Sequence, residues 1–357
     1  MSEVNVQFYT KTSDAWEAML ADLEKATKTI DLEQYIFTID SIGRRFIEVL
    51  ERKSREGVVV RMLCDTVGSW NFYRSLVPDL LNHLGIRIRF FNPISPWRIT
   101  NFTSNFFRDH RKLLIIDNQI GHIGGVGIQA DMADWRDTHM RVIGPLAEEM
   151  TVSFEALWSS VDKPHLARFK KVVQFVKQFN LQVNYPRFRQ RYIYQALIAN
   201  IRSAKKYVYL TTPYFIPDIR LYRVLRLAAK KGVDVRLIVP DIADHVFVNH
   251  ARESYFTLAL KSGIKIYRYK DVMMHAKTAV VDDTWGTAGS FNLDSLSFYF
   301  NHEINISSSD LTFIHTIKRH FHEDLLMCEE VTHDRWVKRS FRKKFLELLT
   351  WPFHSIM

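Results

Sequence analysis

Cysteine is nearly absent: of 357 residues only Cys64 and Cys328 carry a thiol, far apart and outside any Cys-x-x-Cys spacing. That scarcity argues against a disulfide framework or a zinc cluster and suits a reducing compartment. Long apolar runs are missing too, since no stretch approaches the roughly 20 residues that a membrane-spanning helix needs. The opening Met-Ser-Glu-Val-Asn-Val has no basic segment leading into an apolar core, so any membrane contact should be peripheral. Acidic side chains are the minority charge, 39 against 49 Lys and Arg, which leaves a net charge of +10. Such a balance favours anionic partners (phospholipid headgroups, nucleic acid or phosphorylated substrates) without choosing among them. What remains, 47% hydrophobic and 25% charged, is the composition of a folded globular chain and not of a disordered one.

The chain contains an internal repeat, the first thing to seek in a sequence of this length. Ala26-Thr27-Lys28-Thr29-Ile30-Asp31-Leu32 aligns with Ala204-Lys205-Lys206-Tyr207-Val208-Tyr209-Leu210, and each copy continues into Tyr-Ile-Phe or Tyr-Phe-Ile. Gly57-Val58-Val59-Val60-Arg61 matches Gly232-Val233-Asp234-Val235-Arg236, and Gly85-Ile86-Arg87-Ile88 matches Gly263-Ile264-Lys265-Ile266. Each half reads as helix, strand, helix, strand, helix, strand, with a 3.6-period stretch such as Trp16 to Leu23 and a β-branched run such as Val58 to Leu63. That alternation predicts α/β lobes, each a sheet flanked by helices. The segment from about Asp162 to Gln190 is basic, aromatic and helix-like, not rich in Gly or Ser. It is read as an ordered connector between two lobes packed into one body. The expected division is a first lobe over 1–165, a connector over 166–190, a second lobe over 191–330 and a basic amphipathic segment over 331–357.

Each half also carries a His-x-Lys signature. The first is His110-Arg111-Lys112, then Asp117 and Gly124-Gly125; the second is His275-Ala276-Lys277, then Asp282 and Gly289-Ser290-Phe291-Asn292. One such match arises by chance in roughly one chain of this length in several hundred. Two at corresponding places in a repeat do not. On a strand, His and Lys two residues apart project from one face, because side chains alternate. A phosphodiester needs cations to offset its charge, a nucleophile, and an acid for the departing alkoxide. Two halves facing each other supply one imidazole on either side of phosphorus. Asp117 and Asp282 complete the signature, although each ends an apolar run before Asn118 or Asp283, as a strand-terminating turn would.

These residues resemble the phospholipase D superfamily, whose HKD motif is this pattern, and the resemblance covers nearly the whole chain. Within it, Trp135-Arg136-Asp137-Thr138-His139 followed by Gly144-Pro145, the run Thr212 to Asp218, and Met274-His275-Ala276-Lys277 are similar to stretches of bacterial cardiolipin synthases. The resemblance implies two similar lobes sharing one active site at their interface, with His110, Lys112, Asp117, His275, Lys277 and Asp282 as the catalytic set. It implies His110 as nucleophile through a phosphohistidine and His275 as acid and then base. The phosphate would be held by Lys112, Lys277, Asn292 and Ser290, with no metal or other cofactor. Asp137 and Glu303, 27 and 28 residues after the two histidines, would orient the imidazoles. The family usually has Asn where this chain has Gly127, and losing that amide should weaken phosphate binding by about 1–3 kcal/mol.

The expected partners are anionic phospholipid, phosphatidylglycerol above all, and a membrane surface, at the cytoplasmic face of a bacterial membrane. The stretch Arg335 to Met357 mixes Arg335, Lys338, Arg339, Arg342, Lys343 and Lys344 with aromatic and aliphatic residues at helical spacing, as a bilayer-bound helix would. The insertion Pro93 to Phe107 adds aromatics just before His110, suited to a rim at a pocket mouth. The same cations could track nucleic acid, but they sit beside apolar clusters and form no polar groove. The leading expectation is transfer between two phosphatidylglycerols with loss of glycerol. Phospholipid hydrolysis, nuclease activity and lipid binding at a weakened site are the alternatives. The oligomeric state has no signature in the sequence.

Overall fold

The computed structural model describes residues 4–94, 105–162, 175–176, 178–185, 190–241 and 255–338. The first lobe is built from β1 (Asn5–Lys11), α1 (Thr12–Leu23), β2 (Thr29–Gln34), α2 (Ser41–Arg55), β3 (Val59–Asp65) and β4 (Arg87–Phe91). It continues through β5 (Arg108–Asp109), β6 (Leu113–Ile116), β7 (Ile120–Gly124), β8 (Arg136–Ile143) and α3 (Pro145–Asp162). The second comprises β9 (Phe179–Tyr185), α4 (Tyr192–Ser203), β10 (Tyr207–Thr211), α5 (Ile219–Lys230), β11 (Asp234–Pro240) and β12 (Lys265–Tyr269). Its remaining elements are β13 (Thr278–Val281), β14 (Trp285–Gly289), β15 (Asn301–Ser308) and α6 (Leu311–Leu326).

The repeat is visible as topology. The first sheet runs β1-β8-β7-β6-β2-β3-β4 and the main path of the second runs β9-β15-β14-β13-β10-β11-β12, extended by a short strand at each edge. In both, three parallel strands (β2-β3-β4 and β10-β11-β12) continue into an antiparallel half, so each sheet is mixed. Helix starts follow local chemistry. Asp40 caps α2 by accepting from the Ile42 and Gly43 amides, Asp218 caps α5 through the Leu221 amide, and Asp310 caps α6 through that of Phe313.

Strand alternation sorts the core. Leu113 and Ile115 of β6 join Ile304, Ile306 and Phe313 in one cluster shared between the lobes, while Leu114 and Ile116 face the opposite side with α1 and α2. Likewise Val280 lies in the shared core, and Ala279 and Val281 pack with α4 and α5. A bidentate pair of Arg136 on β8 with Asp324 on α6, 2.7 Å at both contacts, ties the lobes together at a buried position.

The reading of 166–190 as a helix-like connector is corrected where it can be seen: Phe179–Tyr185 is a strand, fully paired with β15. Apolar residues at alternate positions, Leu181 and Val183, give it a buried face that a sheet uses better than a free connector would. The rest of that segment lies largely outside the described residues. So do the middle of the aromatic insertion, 95–104, and most of the C-terminal stretch, 339–357. Of the latter, Trp336 is buried against Phe256, with its indole N–H on Thr257 Oγ1 at 3.0 Å.

Candidate active site

The two signatures meet across the lobe interface, and backbone pairing explains how. The residues just before His110 form β5, which pairs in parallel with β15 of the other lobe, and the His110 amide donates to the His302 carbonyl at 3.0 Å. Symmetrically, Met274 bridges to Arg136 at the start of β8, and the His275 amide donates to the Arg136 carbonyl at 2.7 Å. Each His-x-Lys therefore lies in an extended link just ahead of its own strand, β6 or β13, and not within it as expected. The amide of its histidine is taken up by the opposite lobe. Alternation still holds: His110 and Lys112 line the cavity, whereas the intervening Arg111 turns into the core onto Glu33 and Ser153.

The cross-pairing crosses the carboxylates. Glu303, one residue beyond His302 on β15, accepts from His110 Nδ1 at 3.0 Å. Asp137, next to Arg136 on β8, accepts from His275 Nδ1 at 2.7 Å. Each imidazole is thus held by the carboxylate of the other lobe, so neither half has a complete site alone. The sequence spacing to the two carboxylates suggests no such exchange.

The two carboxylates are seated differently. Gly125 stands where an added Cβ would come within 2.2 Å of Asp137 Oδ1, so only glycine leaves room for that carboxylate. Ser290, at the matching position of the second repeat, points its hydroxyl at Glu303, which also takes hydrogen bonds from Ser297 Oγ and Asn301 Nδ2. Burial pushes Glu303 up to about 7. Burial would raise Asp137 too, but Lys277 and His275 outweigh it and hold it below its ordinary value. His110 is pushed well below the usual histidine range by burial and by Lys112, Lys277 and His275. His275 is lowered by burial and Lys277, against the opposing pull of Asp137. Burial also brings Lys112 down to about 7.

The site surrounds a cavity of about 210 Å³. Tyr35, Ile36, His110, Lys112, Gly127 and Trp135 line it from the first lobe; Tyr214, His275, Asn292, Asp294, Leu296 and Asn301 line it from the second. Edge-on aromatic rings flank both imidazoles, Tyr35 against His110 with centroids 4.8 Å apart and Trp135 against His275 at 5.1 Å. Lys112 and Lys277 each donate from Nζ to the carbonyl of their own histidine, which fixes both ammonium groups beside the rings. Lys277 is buried and is not part of the cavity wall.

Two expectations are corrected. Asp117 and Asp282 do not stand with the catalytic set. Asp117 accepts from the amides of Thr27, Lys28 and Thr29, and Asp282 from those of Lys205, Lys206 and Tyr207. Both have positive φ, 51° each, a conformation Asp tolerates in turns, so they pin the hairpin after the motif strand to the start of β2 or β10. Ser290 does not line the cavity either: its hydroxyl donates to Glu303 and accepts from the Ile304 amide at 3.0 Å, where it supports the carboxylate. Gly127 does line the cavity. A Cβ there would meet Met132 Sδ at 3.2 Å and Ile36 Cβ at 3.4 Å, so the cavity wall at Gly127 is apolar and closely packed. Sequence reasoning passed over Tyr35, Trp135, Tyr214, Asp294 and Asn301. The hints were Trp135 at the head of the Trp135-to-His139 stretch and the paired Tyr-Ile-Phe and Tyr-Phe-Ile after the first repeat strands, which place Tyr35 and Tyr214 equivalently.

Comparison with known proteins agrees with the two-lobe fold. A family described as "Cardiolipin synthase, PLD-like domain" matches residues 19–158 and 197–325, one match per lobe. A cardiolipin synthase of Listeria monocytogenes serotype 4b is 34% identical over 97% of this chain and 74% of its own. Cardiolipin synthase 1 of Bacillus cereus is 33% identical over 95% and 70%. Among solved structures, the phosphatidylserine synthase of Haemophilus influenzae superposes with a TM-score of 0.74 at 13% identity, covering 98% of this chain and 93% of that one, a likeness of fold.

Proposed function

The chain belongs to the cardiolipin synthase family of phospholipase D-like proteins, and from that membership and the crossed histidine pairs we propose that it joins two phosphatidylglycerols into cardiolipin with release of glycerol. Membership makes it a phosphatidyltransferase acting on phospholipids. The lipid, the intermediate and the residue roles are the present reading. The observation that carries it is the pair of imidazoles in one cavity, each held at Nδ1 by a buried carboxylate, which leaves Nε2 of each for chemistry.

In the first step His110 Nε2 attacks phosphorus and an N–P bond forms. The bond from phosphorus to the glycerol oxygen breaks as His275 gives its proton to the departing oxygen. In the second step His275 takes the hydroxyl proton of another phosphatidylglycerol, whose oxygen attacks phosphorus and releases His110. His110 suits the nucleophile because its surroundings keep the ring neutral. The arriving phosphodiester anion supplies the negative charge that favours protonation of His275 and full charge on Lys112. Lys112, Lys277 and the Asn292 amide offset the charge on the phosphate oxygens. Asp137 and Glu303 fix the ring tautomers.

The site works at the cytoplasmic face of a bacterial membrane without crossing it. Supporting this are the net charge of +10 and the finding that no helix among the described residues is long and apolar enough to span a bilayer. The test is incubation with phosphatidylglycerol vesicles and mass spectrometry of the lipids. Cardiolipin with an equivalent of glycerol is expected; phosphatidic acid in its place would make the protein a hydrolase, and absence of product would overturn the reading. Acid-labile phosphate should be trapped on His110 and not on His275.

A further inference from the structure

The cavity has two unlike walls. Toward the first lobe it is largely apolar beyond the reacting groups and Tyr35: Ile36, Met132, Trp135 and Gly127. Toward the second lobe it presents the acceptor oxygens of Asp294 and Asn292. Asp294 is 5% exposed and lines the cavity. Its Oδ1 caps the helix Ser295–Tyr299 by accepting from the Ser297 amide at 2.7 Å, and the Ser297 hydroxyl also favours the charged carboxylate, whose second oxygen, Oδ2, keeps acceptor capacity for a ligand. Asn292 is 3% exposed, lines the same wall, and its Oδ1 is buried without a partner among the described residues. An unpartnered buried acceptor such as Asn292 Oδ1 is costly and asks for a donor from a ligand, and Asp294 stands beside it with acceptor capacity of its own.

We propose that Asp294 and Asn292 form a hydroxyl-recognising subsite that holds the polyol headgroup on the phosphodiester, with Asp294 Oδ2 and Asn292 Oδ1 as the acceptors. The inference rests on the phosphatidyl-transfer reading and adds to it the residues that select the headgroup. Three observations support a neutral polyol. Two acceptors on one wall match two hydroxyl donors. Lys112 lines the same cavity and Lys277 lies near enough to favour the charged form of Asp294, so an ammonium headgroup would enter against two cations. Beyond Tyr35 the opposite wall is apolar and holds no carboxylate or amide side chain, which directs the headgroup to the second lobe and the glyceride to the first. Burial brings Asp294 up to about 7, in keeping with a carboxylate that gains most from a hydrogen-bonding ligand.

The test uses the full chain and two soluble phosphates that differ only in the hydroxyls, glycerol 3-phosphate and n-propyl phosphate, with affinities measured by calorimetry. The wild-type protein should bind the glycerol compound roughly ten- to a hundredfold more tightly, the range for hydrogen bonds to a charged acceptor. Asp294→Ser keeps a capping oxygen but removes the second acceptor, and should bring the two affinities together. Asp294→Asn keeps the cap and the volume, and because Oδ1 must cap, it turns an amide N–H into the cavity. An intermediate preference is expected. Melting temperatures confirm that both variants fold. Equal wild-type affinities, binding of neither phosphate, or a preference unchanged in Asp294→Ser overturns the proposal. The vesicle assay fails separately: a polyol preference without cardiolipin formation would leave the subsite standing and remove the transfer reading.

Discussion

Asp137→Asn tests both the crossed pairing and the division of labour between the histidines. Asp137 is buried and its Oδ2 sits 2.7 Å from His275 Nδ1, across the lobe interface from its own motif. As His275 becomes imidazolium, the two charges centre about 4 Å apart, worth about 4 kcal/mol at the effective dielectric of such sites. An amide of the same shape removes nearly all of it, which amounts to about three decades in any step needing protonated His275. Lys277 remains in both proteins and does not change the difference. The variant should therefore lose about 10²- to 10³-fold in turnover of phosphatidylglycerol, whose glycerol departs only with a proton. Nitrophenol leaves a phosphatidyl ester as a stable anion, so the first-turnover burst of its release, which precedes the step where His275 acts as base, should be nearly unimpaired by Asp137→Asn. Glu303→Gln, which unseats the nucleophile His110, should slow both lipids alike. Rescue of Glu303→Gln in place of Asp137→Asn by the nitrophenyl ester would reverse the two histidine roles. Equal losses of both esters in Asp137→Asn would refute the reasoning.

Gly125→Ala forces a methyl to within 2.2 Å of Asp137 Oδ1, so kinetics should show a loss on the scale of Asp137→Asn, with the same rescue by the nitrophenyl ester. Arg111→Met strands Glu33 without its bidentate partner at a fully buried position; urea unfolding should show a loss of about 3–5 kcal/mol. For pH, the folded value of Lys112 near 7 lies below its ordinary value, so kcat/KM should fall as pH rises through about 7, while the depressed His110 produces no acid limb near the usual histidine value. Stability should respond in the opposite sense to activity, because between about 7 and the ordinary lysine value the unfolded chain binds a proton that the folded chain does not, and the Lys112 contribution rises with pH. A profile flat from 6 to 9, on the order of three pH units, would remove Lys112 from the reaction. Gly127→Asn restores the amide once Met132 and Ile36 give way to its Cβ, and about tenfold higher kcat/KM is expected; unchanged turnover would show that the missing donor does not limit the rate.

How much of this was legible depends on how local each signal is. The repeat, the strand–helix alternation and the two His-x-Lys pairs lie within short windows where side-chain period decides the outcome, so α1, β3 and the motif histidines could be read directly. The turn at Asp117 and Asp282 was equally local, an acid closing an apolar run before Asn or Asp, and that reading describes them better than motif membership does. Strand β9 was missed because its basic and aromatic flanks mask a brief alternation, and only the edge of β15 makes it a strand. Asp294 and Asn301 were passed over because single polar residues gain meaning only from the cavity they face.

The crossed carboxylates show why spacing could not assign the pairs. Asp137 and Glu303 stand nearly the same distance along the chain from the histidine of their own repeat, so spacing alone suggests two self-contained triads. The exchange is decided by two very short pairings, β5 with β15 and Met274 with Arg136, in which the backbone before each histidine leaves its own sheet for the other. Short strands carry no pattern strong enough to name a partner. Their consequence is large: seating either histidine requires the opposite lobe to be docked, so the core shared by Leu113, Ile115, Ile304 and Phe313 and the Arg136–Asp324 pair are part of what orients the imidazoles. Asp324→Asn, far in sequence from both signatures, should therefore reduce turnover of phosphatidylglycerol more than that of the nitrophenyl ester, because Arg136 carries the carbonyl that holds His275 and is the neighbour of Asp137. A purely structural role would lower both by the same factor.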